Sequence, residues 1–224
     1  LVSQFNDAWT NILFVGRVIP NKRIEDLIKF FHAYRSTHNL RSRLIIVGSY
    51  VGFEDYLMSL YDLTSRLGTH DVHFVGQATN AELAAFYNVA DVFLCASEHE
   101  GFCVPLVEAF HERVPVIAYS ATAVPDTMDG GGVLYNDKDP SVVAALIDAI
   151  VSNQALCETV VDAQDIALDR YLNHDFSATL MRFVNQILEA PPLPPWELRG
   201  DFWQKFDDFW QKVDADRDVL KHDR

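Results

Sequence analysis

The chain has 224 residues, 49% of them hydrophobic and 22% charged, which supplies one sizeable core and excludes wholesale disorder. Its formal net charge of -14 excludes general nucleic-acid binding, which needs a basic surface, yet permits a local cationic site for an anionic ligand. The three cysteines, Cys95, Cys103 and Cys157, form no CxxC pair and fit a reduced, cytoplasmic setting; no run approaches the roughly 18 apolar residues of a membrane helix.

The chain opens at Leu1, without Met or a signal peptide, and a strand candidate follows at 12–15 almost at once, so a piece of a longer protein is expected. That strand exits into Gly16-Arg17-Val18-Ile19-Pro20-Asn21-Lys22-Arg23. Glycine permits close backbone approach, and Arg17 and Lys22 suit phosphate oxygens, one as a planar fork and the other as a mobile point charge. Arg17, Lys22, Arg23, Lys29, Arg35, Arg41 and Arg43 gather seven of the eighteen basic residues here, although a solvated basic helix face would also account for them. Neither GxGxxG nor GK[ST] is present, so the loop is neither a dinucleotide fingerprint nor a P-loop.

A helix is predicted over 23–37, a strand over 44–47 leaving through Gly48, a helix over 53–67, and a strand over 72–75 leaving through Gly76. Three glycines at three strand ends suggest a sheet edge kept clear for a ligand. A helix over 80–88 leads to the strand 92–95 and the loop Ser97-Glu98-His99-Glu100-Gly101-Phe102-Cys103. Pro105 marks the first turn of a helix over 104–111, whose leading amides around Phe102, Cys103 and Val104 would form an anion site backed by the helix dipole. Glu100 before this helix and Glu108 inside it are placed to reach one crevice and hold vicinal diols, but each also fits a plain surface acid.

Strands at 114–118 and 133–135 follow, then helices over 140–151, 153–170 and 175–189, the first opened by Asp139-Pro140. Short strands, apolar on both faces and alternating with amphipathic helices, imply an α/β fold: a Rossmann-like, doubly wound parallel sheet of about six strands. The expected division is a domain over 1–190 and a tail over 191–224, with a proline-rich linker (Pro191, Pro192, Pro194, Pro195) and an amphipathic helix at 196–220 carrying Trp203, Phe206, Phe209, Trp210 and Val213.

Several motifs in order resemble the C-terminal domain of retaining glycosyltransferase family 4, of GT-B fold. Residues 100–109 resemble the family's two-glutamate motif EGFGxPxxEA, with seven residues between Glu100 and Glu108. Residues 14–22 resemble its phosphate-contacting "VGR…K" loop, residues 114–118 its "PVIA" strand, and residues 123–134 its "AVPET…GGAGVL" segment; the register holds over about residues 11–189. The resemblance implies that Gly16, Arg17 and Lys22 meet the donor diphosphate, with Arg17 and Lys22 stabilising the departing phosphate. It implies that Glu100 holds the transferred sugar, Glu108 the ribose, Gly101, Phe102, Cys103 and Val104 the phosphates through their backbone, and Val75 and Gly76 the base. The donor would be a UDP- or GDP-linked sugar, transferred with retention to a glycan or lipid-linked acceptor, without a metal or other cofactor. An N-terminal acceptor-binding domain would be missing, leaving this domain inactive in isolation. Two positions depart from the family pattern: Cys103 and Arg113 stand where glycine is usual. Cys103 is expected to fit if its φ stays negative.

Eight histidines include no HxxxH or HxH pair with matching acids, so no metal site is expected. His99 is placed to touch the donor or acceptor, or to be an ordinary loop histidine. For the aromatic tail, packing against the absent N-terminal domain or another partner is expected ahead of peripheral association with the inner membrane face, since it lacks a Lys/Arg excess. Two other functions remain open: a nucleotide-sugar-binding module without turnover, and a sugar-nucleotide epimerase.

Overall fold

A computed structural model describes residues 2–189. The apolar runs become six parallel strands: β1 (Thr10–Val15), β2 (Ser42–Val47), β3 (Val72–Gly76), β4 (Val92–Cys95), β5 (Val116–Tyr119) and β6 (Val133–Tyr135). Their order is β3-β2-β1-β4-β5-β6, so the chain winds outward one way from β1 and then the other way from β4. The helices are α1 (Ile24–Thr37), α2 (Glu54–Leu67), α3 (Asn80–Asn88), α4 (Val104–His111), α5 (Val124–Met128), α6 (Pro140–Ser152), α7 (Gln154–Leu172) and α8 (Phe176–Glu189). The chain divides into residues 1–174 and a unit from Asp175 onward, to which α8 belongs. The proline-rich linker and aromatic helix expected over 191–224 lie outside the described residues.

The two-residue period of a strand sorts its side chains onto opposite faces. Ile12, Phe14, Leu44, Ile46, Val92 and Leu94 face one core with Leu27, Phe30 and Phe31 of α1, Leu60 of α2 and Ile147 of α6. Leu13, Ile45, Val47, Phe93 and Cys95 face the other with Phe86 of α3, Leu106 and Phe110 of α4, and Ala167 and Leu168 of α7. Both faces are covered, which is why these strands are continuously apolar.

Local chemistry sets the helix starts. Thr79 and Glu82 form a reciprocal capping box at α3, while Asp139 Oδ1 and Asn153 Oδ1 accept from the amides of Ser141 and Leu156, opening α6 and α7. β5 starts two residues later than the apolar run predicts. The Val114 amide bonds to Ala109 O at 2.9 Å, and buried Gln164 bridges the backbone by donating to Val114 O and accepting from Val116 N. Among the described residues no single helix is long and apolar enough to cross a membrane; α6 and α7 satisfy the composition only as a pair bent by 96°.

Candidate functional site

The winding reverses between β1 and β4, and ligands of open parallel sheets bind beyond the strand ends at such a reversal. A cavity of about 430 Å³ lies there, lined among others by Gly16, Arg17, Lys22, Glu100, Cys103 and Val104. Two glycines let the β1 exit fold tightly. A Cβ on Gly48 would stand 1.9 Å from Gly16 O, so only glycine at the end of β2 admits the loop that carries Arg17. The amides of Gly16 and Val18 bond to Val47 O and Ser49 O, each at 2.9 Å, fixing that loop on its neighbour.

Residues 20–22 make one 3-10 turn, and Arg23 takes a left-handed φ of 53° before α1 begins. This turn directs Lys22 across the crevice, where Nζ meets Glu100 Oε1 at 2.5 Å; the side chains are 16% and 9% exposed. Arg17 lies over the Phe53 ring, 5.6 Å from its centroid, and its side chain stays on the surface of the cavity. The site therefore brings two cations and one carboxylate to one opening, with one of the cations engaged.

The β4 exit loop is held by residues the sequence analysis did not single out. Asn21 Nδ2 donates to His99 O at 3.0 Å, and Glu98 N donates to Asn21 O at 3.0 Å, tying the β1 and β4 exits together. Thr122 accepts from the Glu100 amide at 2.9 Å and donates to Glu100 O at 3.1 Å; Thr127 donates to Phe102 O. Thr127 was visible within the "AVPET"-like segment, whereas no local pattern marks Thr122. Cys103 corrects an expectation: its φ is +69°, not negative, because the chain must turn left-handed to enter α4. That turn explains why glycine suits the position. Arg113, the other departure, likewise has a φ of +56° just past α4.

Cys103 provides no side-chain cap to α4; Pro105 has no N–H and the Leu106 amide donates to Cys103 O at 3.0 Å, so Val104, on the cavity wall, carries the first amide of the helix. Gly101 and Phe102 are exposed on the loop, with the Phe102 ring edge-on to Tyr171 at 5.5 Å. Glu108 does not share the crevice with Glu100. It lines a separate depression of about 240 Å³ between α3 and α4, where Oε2 accepts from Tyr87 OH at 2.9 Å. Burial, then the Glu108 carboxylate, push the Tyr87 phenol upward, so it remains a donor. Val75 and Gly76 also lie away from the main cavity: Val75 lines another beside Phe5 and His73, and Gly76 O accepts from Gly48 N at 2.8 Å.

A second ion cluster supports the first. The buried Asp26 of α1 pairs with Arg23, Lys29 and Lys138 at 3.1 Å each. Lys138 also donates to Glu98 at 3.0 Å and Ala96 O at 3.1 Å, and lies over the Tyr119 ring. Burial pushes the Asp26 carboxyl up, but the hydrogen bonds from Arg23, Lys29 and Lys138 outweigh it and hold the group below the usual carboxylate range. One group with metal-ligand spacing occurs among the described residues: Cys95, Glu100 and Cys103 bring their ligand atoms within 4.8 Å of one another, although Lys22 already occupies the carboxylate.

Residues 3–164 match the family described as glycosyl transferases group 1. The chain belongs to that family. Among its relatives, O-antigen chain mannosyltransferase B of Escherichia coli is 28% identical over 150 residues, covering 66% of this chain and 38% of that protein. Alpha-monoglucosyldiacylglycerol synthase of Acholeplasma laidlawii is 32% identical over 168 residues, covering 74% and 40%. The chain thus spans well under half the length of both relatives. The structure of Anabaena HepE in complex with UDP and glucose has a TM-score of 0.68 at 23% identity, covering 78% of this chain and 48% of that one, which shows a shared GT-B-type fold.

Proposed function

We propose that this domain binds the nucleotide-diphosphate sugar of a retaining family 4 glycosyltransferase. The observation that carries the reading is the Lys22–Glu100 pair across the β1/β4 reversal, beside Arg17 and the open start of α4. A diphosphate entering there would meet Arg17, Lys22 and the backbone of residues 101–104, exchanging the carboxylate partner of Lys22 for phosphate oxygen. Glu100, released from Lys22, would accept hydrogen bonds from the sugar hydroxyls. For Glu108 we propose the ribose, with Tyr87 orienting its carboxylate. The base is assigned to the β3 exit near Val75 and Gly76.

In the reaction, the bond from the anomeric carbon to the phosphate oxygen breaks while the acceptor oxygen bonds to the same face of that carbon. The acceptor proton passes to the departing diphosphate, whose charge Arg17 and Lys22 stabilise. Catalysis then rests on positioning and charge, without a metal. The related O-antigen chain mannosyltransferase and alpha-monoglucosyldiacylglycerol synthase support a glycan or lipid-linked acceptor, held by a domain beyond this chain, and the UDP complex supports UDP, with GDP as the alternative carrier. Calorimetric titration with UDP, GDP and their sugars tests the binding: saturable affinity for one of them is expected, and none at millimolar concentration would remove the reading. The anomeric configuration of product made by the full-length enzyme, read by proton NMR, tests retention.

A further inference from the structure

Cys95 ends β4 and Cys103 precedes α4, and the intervening loop folds back so that both line the same cavity. Both are free and buried, and their sulfurs lie within 4.8 Å of one another. Cys95 Sγ is also 3.4 Å from Ser97 Oγ. Cys157 is free as well but sits in α7, packed against the core on the opposite face of the sheet. The phosphate-binding role given to α4 uses backbone amides and needs a thiol at neither position.

Two facts separate this pair from ordinary core cysteines. Cys103 is held at a φ of +69°, a conformation glycine adopts without strain, so its side chain is retained at a conformational cost. The pair also divides its acidity. The proximity of Cys103, helped by Ser97, lowers the Cys95 thiol despite burial, while the proximity of Cys95 and burial raise Cys103. Two adjacent thiols, the more acidic beside a second that can resolve it, are the pairing of redox-sensing cysteines, and both line a cavity that admits a small oxidant.

We propose that Cys95 and Cys103 form a redox-active dithiol, which peroxide closes to a disulfide that shuts the cavity to its phosphate-bearing ligand; the gating clause rests on the donor-binding reading above. The Cys95 thiolate attacks one peroxide oxygen, forming S–O as O–O breaks, and the departing hydroxide takes a proton to become water. The Cys103 thiol then attacks the Cys95 sulfur, forming S–S as S–O breaks, and its proton leaves with the hydroxide as a second water. The two thiols lose two electrons, the peroxide gains them, and a dithiol reductant reverses the change. Bond formation brings the sulfurs to about 2.05 Å, which pulls on the residue that aims the α4 amides.

The test treats the chain with hydrogen peroxide and maps its thiols by non-reducing peptide mass spectrometry. A Cys95–Cys103 cross-link is expected, with loss of two hydrogens, Cys157 still open to alkylation, and altered amide hydrogen exchange over residues 101–106. UDP affinity should fall at least about tenfold and return with dithiothreitol. Cys95→Ala should abolish both the cross-link and the peroxide effect; should that variant not fold, the wild-type mapping still decides. Two free thiols after treatment, a link through Cys157, or a Cys95–Cys103 disulfide with unchanged exchange and affinity would overturn the proposal. If the reduced chain binds no UDP, that failure falls on the donor reading alone, and the cross-link with the exchange data still judges the pair.

Discussion

Lys22 and Arg23 are neighbours in the chain and enter two ion clusters of opposite character. Lys22 reaches a single carboxylate, Glu100, on the wall of an open cavity. Arg23 joins a cluster in which Asp26 has three cationic partners, and Lys138 bridges α1 to the β4 exit through Asp26, Ala96 and Glu98. The second arrangement is saturated and belongs to the frame. The first leaves exchangeable partners facing a space that a ligand can fill. A left-handed turn at Arg23 is what parts the two side chains.

The largest effect expected from this contrast is on the frame. Asp26→Ala leaves three cations without their shared anion and should destabilise the fold by about 3 kcal/mol in urea unfolding, toward the lower end for a broken buried pair because Arg23 and Lys29 retain water. Lys22→Ala should cost less, about 1 kcal/mol, because the single carboxylate it leaves, Glu100, lines an open cavity that water can enter. Equal losses from the two variants would erase the distinction.

Acid should act on the frame as well. The folded Asp26 carboxyl lies below its unfolded value of 3.8, so its contribution is full above that value and disappears as pH falls through the folded one. Urea midpoints of wild type and Asp26→Asn should therefore converge in acid; a constant gap from pH 7 downward would show that the carboxylate charge is not the stabilising element. A smaller effect is expected at the separated glutamate. Tyr87→Phe, which removes the hydroxyl holding Glu108, should cost about 1 kcal/mol in the same assay while leaving the Lys22–Glu100 pair intact.

The difference between the regions also explains what was legible in sequence. Strands such as Val92–Cys95 were plain because the strand period and burial on both faces require continuous apolar runs. That Arg17, Lys22 and Glu100 line one opening was legible because a parallel sheet delivers strand-exit loops to one edge, whatever separates them in sequence. The frame cluster was not: Asp26 and Lys138 are 112 positions apart, and nothing local to either marks a partner. Spacing also misled where direction mattered. Glu100 and Glu108 keep the family interval, but one is aimed by a loop pinned to Thr122 and the other by a helix face turned toward Tyr87. The left-handed turn at Cys103 was signalled only by the glycine usual at that position, since cysteine itself carries no preference for it.

The central claim is that the β1 and β4 exits form a diphosphate site in which Lys22 exchanges Glu100 for phosphate. Calorimetric titration of UDP into wild type, Lys22→Ala and Arg17→Ala tests it most directly. The account predicts saturable binding by wild type and at least about a tenfold loss in each variant, with unfolding midpoints little changed. Wild-type affinity retained in both variants would contradict it.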